Sequence, residues 1–207
     1  MKFLANTTSP FVRIARISMI EKGLNPELTI VDPWADDVQL RQANVATRVP
    51  TLVLDDGSPL TECLLIVQWL EATRPEPQWP SLMGKPEQVN GVIARAGVAM
   101  GAIDASVITL ITRKVSAPAL FDETPIGLRR RRTMVEAMQR LDDYYARQDM
   151  QALASAPPTL DVVCAVTLQD YQLFRYADQP WLPDTKNLKG LSLAMRSRPS
   201  FAQTVPH

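Results

Sequence analysis

Apolar positions in the first 72 residues come in short runs that switch between strand and helix spacing. Lys2 to Asn6 reads as an opening strand. Thr7-Thr8-Ser9-Pro10 then turns the chain into a helix, with Ser9 suited to the N-cap and Pro10 to the first helical position. Phe11, Ile14, Ala15 and Met19 recur at helical spacing, and Gly23 is placed to end that helix. Glu27 to Val31 predicts a second strand, Asp32-Pro33-Trp34 opens a loop, and a short helix is expected from about Asp36 to Ala43. Val49 to Leu54 reads as a buried strand with a proline at its start. Asp55-Asp56-Gly57-Ser58 is a hairpin turn, and Pro59-Leu60 begins the returning strand. Thr61 is expected to cap a helix from Glu62 to about Ala72. The predicted order is βαβαββα.

The pattern then changes. Pro75, Pro77, Pro80 and Pro86 mark a break in regular structure. Beyond it only helical patterns occur, at about 87–114, 125–148, 160–176 and 187–197, with a short helix from Pro199. The expected organisation is an α/β domain over 1–74, a linker over 75–86 and an all-helical domain over 87–207.

Composition narrows the chemistry. The chain has 207 residues, enough for two small cores, and its formal net charge is zero, so no general attraction to nucleic acid is expected. The four consecutive arginines Arg129 to Arg132 point around all sides of a helix and read as a solvated surface. The only histidine is His207, which disfavours histidine triads and histidine metal sites; no metal is expected. The eight glycines are scattered and form no phosphate loop. Cys63 and Cys164 lie in apolar helical patterns and form no disulfide framework, which points to a reducing compartment. The opening residues are too short and too soon polar for a signal peptide, and no run of about 18 apolar residues predicts a membrane span. A cytoplasmic protein is the expectation.

Four motifs share one resemblance: Ser9-Pro10-Phe11, Val49-Pro50, Glu62-Cys63, and Ala99-Met100-Gly101-Ala102-Ile103-Asp104-Ala105. In this order, with the proline-rich linker between the third and fourth, they resemble the cytosolic glutathione S-transferase superfamily over essentially the whole chain. Within it they resemble small bacterial transferase-like proteins that begin Thr-Ser-Pro-Phe-Val-Arg, here Thr8 to Arg13. The resemblance implies a thioredoxin-like N-terminal domain, an all-α C-terminal domain and a homodimer. Four departures stand out. Cys63 replaces the family's serine, Met100 replaces an aspartate, Ala46-Thr47-Arg48 lacks the usual Gly-Lys before Val-Pro, and Thr159-Leu160-Asp161 is a shortened form of the family's Ser/Thr-x-x-Asp capping box.

The resemblance also implies a site, with Ser9 as the catalytic residue. Its hydroxyl, at a helix start, would donate to the glutathione sulfur and favour the thiolate, which is the nucleophile. Ser9 also reads as a plain N-cap, and the two roles can coexist. Thr8 is the second possible donor, and Phe11 completes the motif. A cis Val49–Pro50 bond would let the Val49 backbone pair with the cysteinyl unit of glutathione as an added strand. Glu62 would take the γ-glutamyl ammonium, and the amides of Cys63 and Leu64 would hold its carboxylate. Trp34 would flank the glycine end. Arg13 reads as a helix-face residue or an interdomain ion pair, and Asp104 as a partner in an interhelical or interface hydrogen bond. The implied activity is attack of glutathione, as co-substrate, on a small electrophile, peroxide or disulfide. The alternative is a non-catalytic glutathione-binding or interaction module on the same fold. A dithiol redox protein is disfavoured, because Ser9 and Val12 occupy the positions where Cys-x-x-Cys would stand.

Overall fold

The computed structural model describes residues 1–118 and 121–207. Two units cluster separately, residues 1–82 together with 198–207, and residues 83–197.

In the first unit the elements run β1 (Lys2–Ala5), α1 (Pro10–Glu21), β2 (Glu27–Ile30), α2 (Val38–Ala43), β3 (Thr51–Val53), β4 (Pro59–Thr61) and α3 (Cys63–Thr73). This is the predicted order. The sheet runs β2-β1-β3-β4, with β1 parallel to β2 and antiparallel to β3, and β3 antiparallel to β4. Phe3, Leu4 and Ala5 are all buried, as a central strand covered on both faces requires, whereas edge strand β2 exposes Glu27, Leu28 and Ile30. Val12, Ile14, Ala15, Ile17 and Met19 of α1 and Ile66, Val67 and Leu70 of α3 are buried with them. Each such Leu, Ile or Val contributes about 1.5–3 kcal/mol by leaving water. Gly23, at φ +67°, ends α1 as expected. Its N–H donates to Ile20 O and that of Leu24 to Met19 O, the paired bonds of a Schellman ending.

Two ion-pair clusters, one around buried Lys22 and one around largely covered Glu21, tie this unit together. Lys22 is 1% exposed, with Nζ 2.5 Å from Glu71 Oε1 on α3 and donating to Arg74 O at 3.0 Å. Glu71 also accepts from the Leu82 N–H at 3.0 Å. Glu21 accepts from Arg198 Nε at 3.1 Å and Nη2 at 2.7 Å, and from the Ser200 hydroxyl. These bonds hold the last ten residues against α1.

The second unit contains α4 (Val89–Ser116), α5 (Pro125–Tyr145), α6 (Met150–Ser155), α7 (Leu160–Tyr176) and α8 (Lys186–Met195). The pattern reading missed α6, whose N-cap Asp149 accepts from the Gln151 and Ala152 amides at 2.9 and 3.1 Å. Helix α7 is buried at nearly every position, so its polar residues need partners inside the bundle. Asp161 takes Arg95 Nε at 2.6 Å and the Thr159 hydroxyl at 2.5 Å, in place of a reciprocal capping box. Gln169 accepts from Thr185 Oγ1 at 2.7 Å, and Gln172 donates to Ser106. The segment Pro86–Ser116 is long and apolar enough to cross a membrane by length and composition, where the sequence reading expected no such span. In this structure its buried stripe, Val92, Ala96, Ala99 and Ile103, packs against α5 and α7. Asp104 lies on the exposed side of α4.

Of the arginine run, Arg129 and Arg132 are exposed, and Arg132 lies 3.9 Å from Glu136 one turn on. Arg131 is partly covered and lies near Asp122 and Glu123.

Candidate functional site

The sheet register brings the candidate residues to one end of the first unit. Leu4 pairs with Thr29 and with Thr51, and Thr51 pairs with Thr61. The C-terminal ends of β1, β2 and β4 and the N-terminal end of β3 therefore share one edge. Ser9 follows β1, Trp34 follows β2, Val49-Pro50 precedes β3, and Glu62-Cys63 follows β4. Neighbouring strands are about 4.8 Å apart, so β1 to β4 spans on the order of 10 Å. That is roughly the length of an extended tripeptide.

At the start of α1, Ser9 is the N-cap, half-buried, with Oγ accepting from the Val12 N–H at 3.3 Å. A hydroxyl that accepts one bond keeps its own proton to donate. Among the described residues no protein acceptor takes it. Thr8 differs, because its hydroxyl donates to Asn6 Oδ1 at 2.8 Å and its amide to the same oxygen at 3.0 Å. In this structure its proton is therefore engaged by Asn6. The first turn is nearly used up. Pro10 has no N–H, the Val12 N–H goes to Ser9 Oγ, and the Arg13 N–H goes to Ser9 O at 3.1 Å. The Phe11 N–H is the first-turn donor without a partner among the described residues.

Just before β3, the Val49–Pro50 bond is cis, as the resemblance implies, with Val49 half-buried and Pro50 buried. The loop before it is pinned by buried Asn44, a residue the sequence reading did not single out. Asn44 Nδ2 donates to Arg48 O at 3.0 Å and to Thr51 Oγ1 at 3.1 Å, and its Oδ1 accepts from the Ala46 N–H at 3.0 Å. Thr51 Oγ1 donates to the same Arg48 carbonyl at 2.9 Å. Thr47, where the resemblance expects glycine, has φ +52°, so the loop keeps a glycine-like backbone without the glycine.

Helix α3 begins one residue later than expected. Glu62, and not Thr61, is the N-cap, at φ +65° and ψ 123° with no side-chain cap bond. A non-glycine residue there is strained, and its carboxylate does not cap the first amides of α3. The Glu62 carboxylate lies 3.5 Å from Arg48 Nη1, and both side chains are largely exposed. Arg48, noted in the sequence only as a departure, is a second residue to which sequence reasoning gave no site role. Its signal was its place immediately before Val49-Pro50.

Cys63 is 3% exposed, and burial, reinforced by the neighbouring Glu62 charge, pushes its thiol up to about 12. It is a neutral, inert packing group at neutral pH. Trp34 is 66% exposed beside an Asp32 turn, with its backbone N–H donating to Asp32 Oδ1 at 2.9 Å. Arg13, read as a helix-face residue or an interdomain ion pair, is buried, with Nε 3.5 Å from Thr204 Oγ1. Among the described residues no group of three His, Cys, Asp or Glu side chains is arranged to hold a metal ion.

A β2-β1-β3-β4 sheet with helix starts facing its site end is a thioredoxin-like domain, and here an all-helical unit accompanies it. Residues 8–73 match the family model of the glutathione S-transferase N-terminal domain. An uncharacterized glutathione S-transferase-like protein of Escherichia coli K12, YibF, is 28% identical over 206 residues, covering all of this chain and 98% of YibF. A glutathione S-transferase of Methylobacterium radiotolerans, crystallised in complex with glutathione sulfonate, is 28% identical with a TM-score of 0.81, covering all of this chain and 94% of that one. One from Methylobacillus flagellatus with glutathione bound shares the fold at 22% identity and a TM-score of 0.83, covering all of this chain and 99% of that one. Residues 8–73 therefore carry a glutathione S-transferase N-terminal domain, and over its full length the chain is similar to glutathione S-transferases.

Proposed function

We propose that the protein is a glutathione transferase in which Ser9 activates the glutathione thiol for attack on a small electrophile, peroxide or disulfide. The observation that carries this reading is the state of the Ser9 hydroxyl. It sits at a helix start, accepts from Val12, and retains its own proton. A hydroxyl donated to a thiolate contributes roughly 1.5–3 kcal/mol, and the helix terminus adds about 0.3–1 kcal/mol. A free thiol ionises near pH ~8.5, and each ~1.4 kcal/mol changes its ionisation tenfold. Together these terms bring a large share of bound glutathione to the thiolate at neutral pH. The Phe11 N–H offers the sulfur a further donor.

The rest of the tripeptide lies along the strand ends. The Val49 backbone beside Pro50 pairs with its cysteinyl unit, the amides of Cys63 and Leu64 hold the γ-glutamyl carboxylate, and Glu62 takes the ammonium. Trp34 covers the glycine end. In the family manner the working unit is a homodimer. The Methylobacterium radiotolerans relative, crystallised with glutathione sulfonate, supports the assignment of the tripeptide.

One observation favours the second reading, a non-catalytic glutathione-binding or interaction module. The buried Cys63 thiol supplies no polar side chain at the start of α3. A titration with reduced glutathione, following backbone amides by NMR, separates the readings when paired with a turnover assay. The enzyme reading requires shifts at Phe11, Val49, Cys63 and Leu64 together with turnover. Shifts without turnover on aryl halides, peroxides and mixed disulfides support the module. No shift at any of the four removes glutathione from this site.

A further inference from the structure

We propose that Arg48 sets how strongly the site prefers ligands carrying a free α-ammonium. The inference rests on the assignment of Glu62 to the γ-glutamyl ammonium. Arg48 Nη1 lies 3.5 Å from Glu62 Oε1, so the carboxylate meant for the ligand already has a cationic partner. That partner stays within reach for a structural reason. Two side-chain donors, from Asn44 and Thr51, fix the Arg48 carbonyl, while Glu62 is held at the head of α3 with φ +65°. Only the exposed ends of the two side chains are left to move.

An incoming ammonium must displace the guanidinium from Glu62 or share the carboxylate with it, and at close range it is also repelled. A ligand without the ammonium meets neither cost and leaves the pair intact. Arg48 therefore reduces the advantage that the ammonium confers. Any attraction of Arg48 for the ligand's carboxylates is common to both kinds of ligand and cancels in the ratio of their affinities. Exposed ion pairs of this kind are weak, and their measured range corresponds to roughly a 1.5- to 5-fold effect on binding.

The test is calorimetry with reduced glutathione and with glutaryl-cysteinylglycine, the same tripeptide lacking the α-ammonium. The wild type, Arg48→Gln and Arg48→Lys are compared at low ionic strength and in about 1 M salt, where charges beyond ~3 Å are screened. The preference for glutathione over the analogue should rise about 1.5- to 5-fold in Arg48→Gln, stay near wild type in Arg48→Lys, and show a smaller gain at high salt. A preference that is unchanged or lower in Arg48→Gln, with glutathione still bound, overturns the role of Arg48 alone. If glutathione binds none of the three proteins, the underlying assignment of the site fails and takes this inference with it.

Discussion

Replacing Ser9 with glycine separates the two jobs of one hydroxyl. As an N-cap, Ser9 satisfies the buried Val12 N–H through a long bond of 3.3 Å. Glycine is tolerated at N-caps at a cost of a few tenths of a kcal/mol, whereas alanine costs about 1 kcal/mol. The Ser9→Gly protein should therefore keep nearly all of its stability in urea unfolding, with Ser9→Ala somewhat weaker. Catalysis loses much more. Removing a hydroxyl that donates to a thiolate forfeits roughly 1.5–3 kcal/mol, which is about a 10- to 150-fold shift in thiol ionisation. Below the pH at which wild-type-bound glutathione ionises, kcat/KM for the electrophile at saturating glutathione should fall by about that factor. Above it, where the thiol ionises unaided, the two profiles should converge. Ultraviolet absorbance of the bound thiolate, followed against pH, checks the same quantity without depending on the choice of electrophile. A Ser9→Gly protein whose thiolate titration overlays that of the wild type would refute the reasoning and leave Ser9 as a cap.

Two further outcomes concern the scaffold. Glu71→Ala removes the partner of an ammonium that is 1% exposed, and breaking a buried pair on one side costs about 3–5 kcal/mol; urea denaturation should show that loss, with Lys22→Met milder because it leaves no buried charge. Raising the pH should also destabilise the fold. Burial raises Cys63 from 9.0 to about 12, so between those values the unfolded chain ionises this thiol and the folded chain does not, and stability present below pH 9 is lost across that window. Tyr145 and Tyr176, also raised by burial, extend the loss in the same direction. Melting temperatures measured from pH 7 to 11 should fall steadily above about pH 9, and Cys63→Ser should flatten the first part of that fall. A flat profile in the wild type would contradict the burial of these groups.

Local patterns were enough to read the order of elements. Ser9-Pro10 starts α1 and Gly23 ends it because caps act through neighbouring atoms, and the alternation of strand and helix spacing reports which faces leave water. The short α6 escaped that reading because six residues carry too little periodicity to distinguish a helix from a loop. The residue types at the site were likewise visible, since Ser9, Val49-Pro50 and Glu62-Cys63 stand at element boundaries. Their convergence was not. It depends on Thr51 pairing with both Leu4 and Thr61, contacts between residues 47 and 10 positions apart that no local spacing encodes. The same holds for three other findings. Thr8 spends its proton on Asn6, Asn44 pins the Arg48 carbonyl, and Arg48 reaches Glu62. A side chain's type sets which bonds it can make, and only the packed chain decides which of them are already taken.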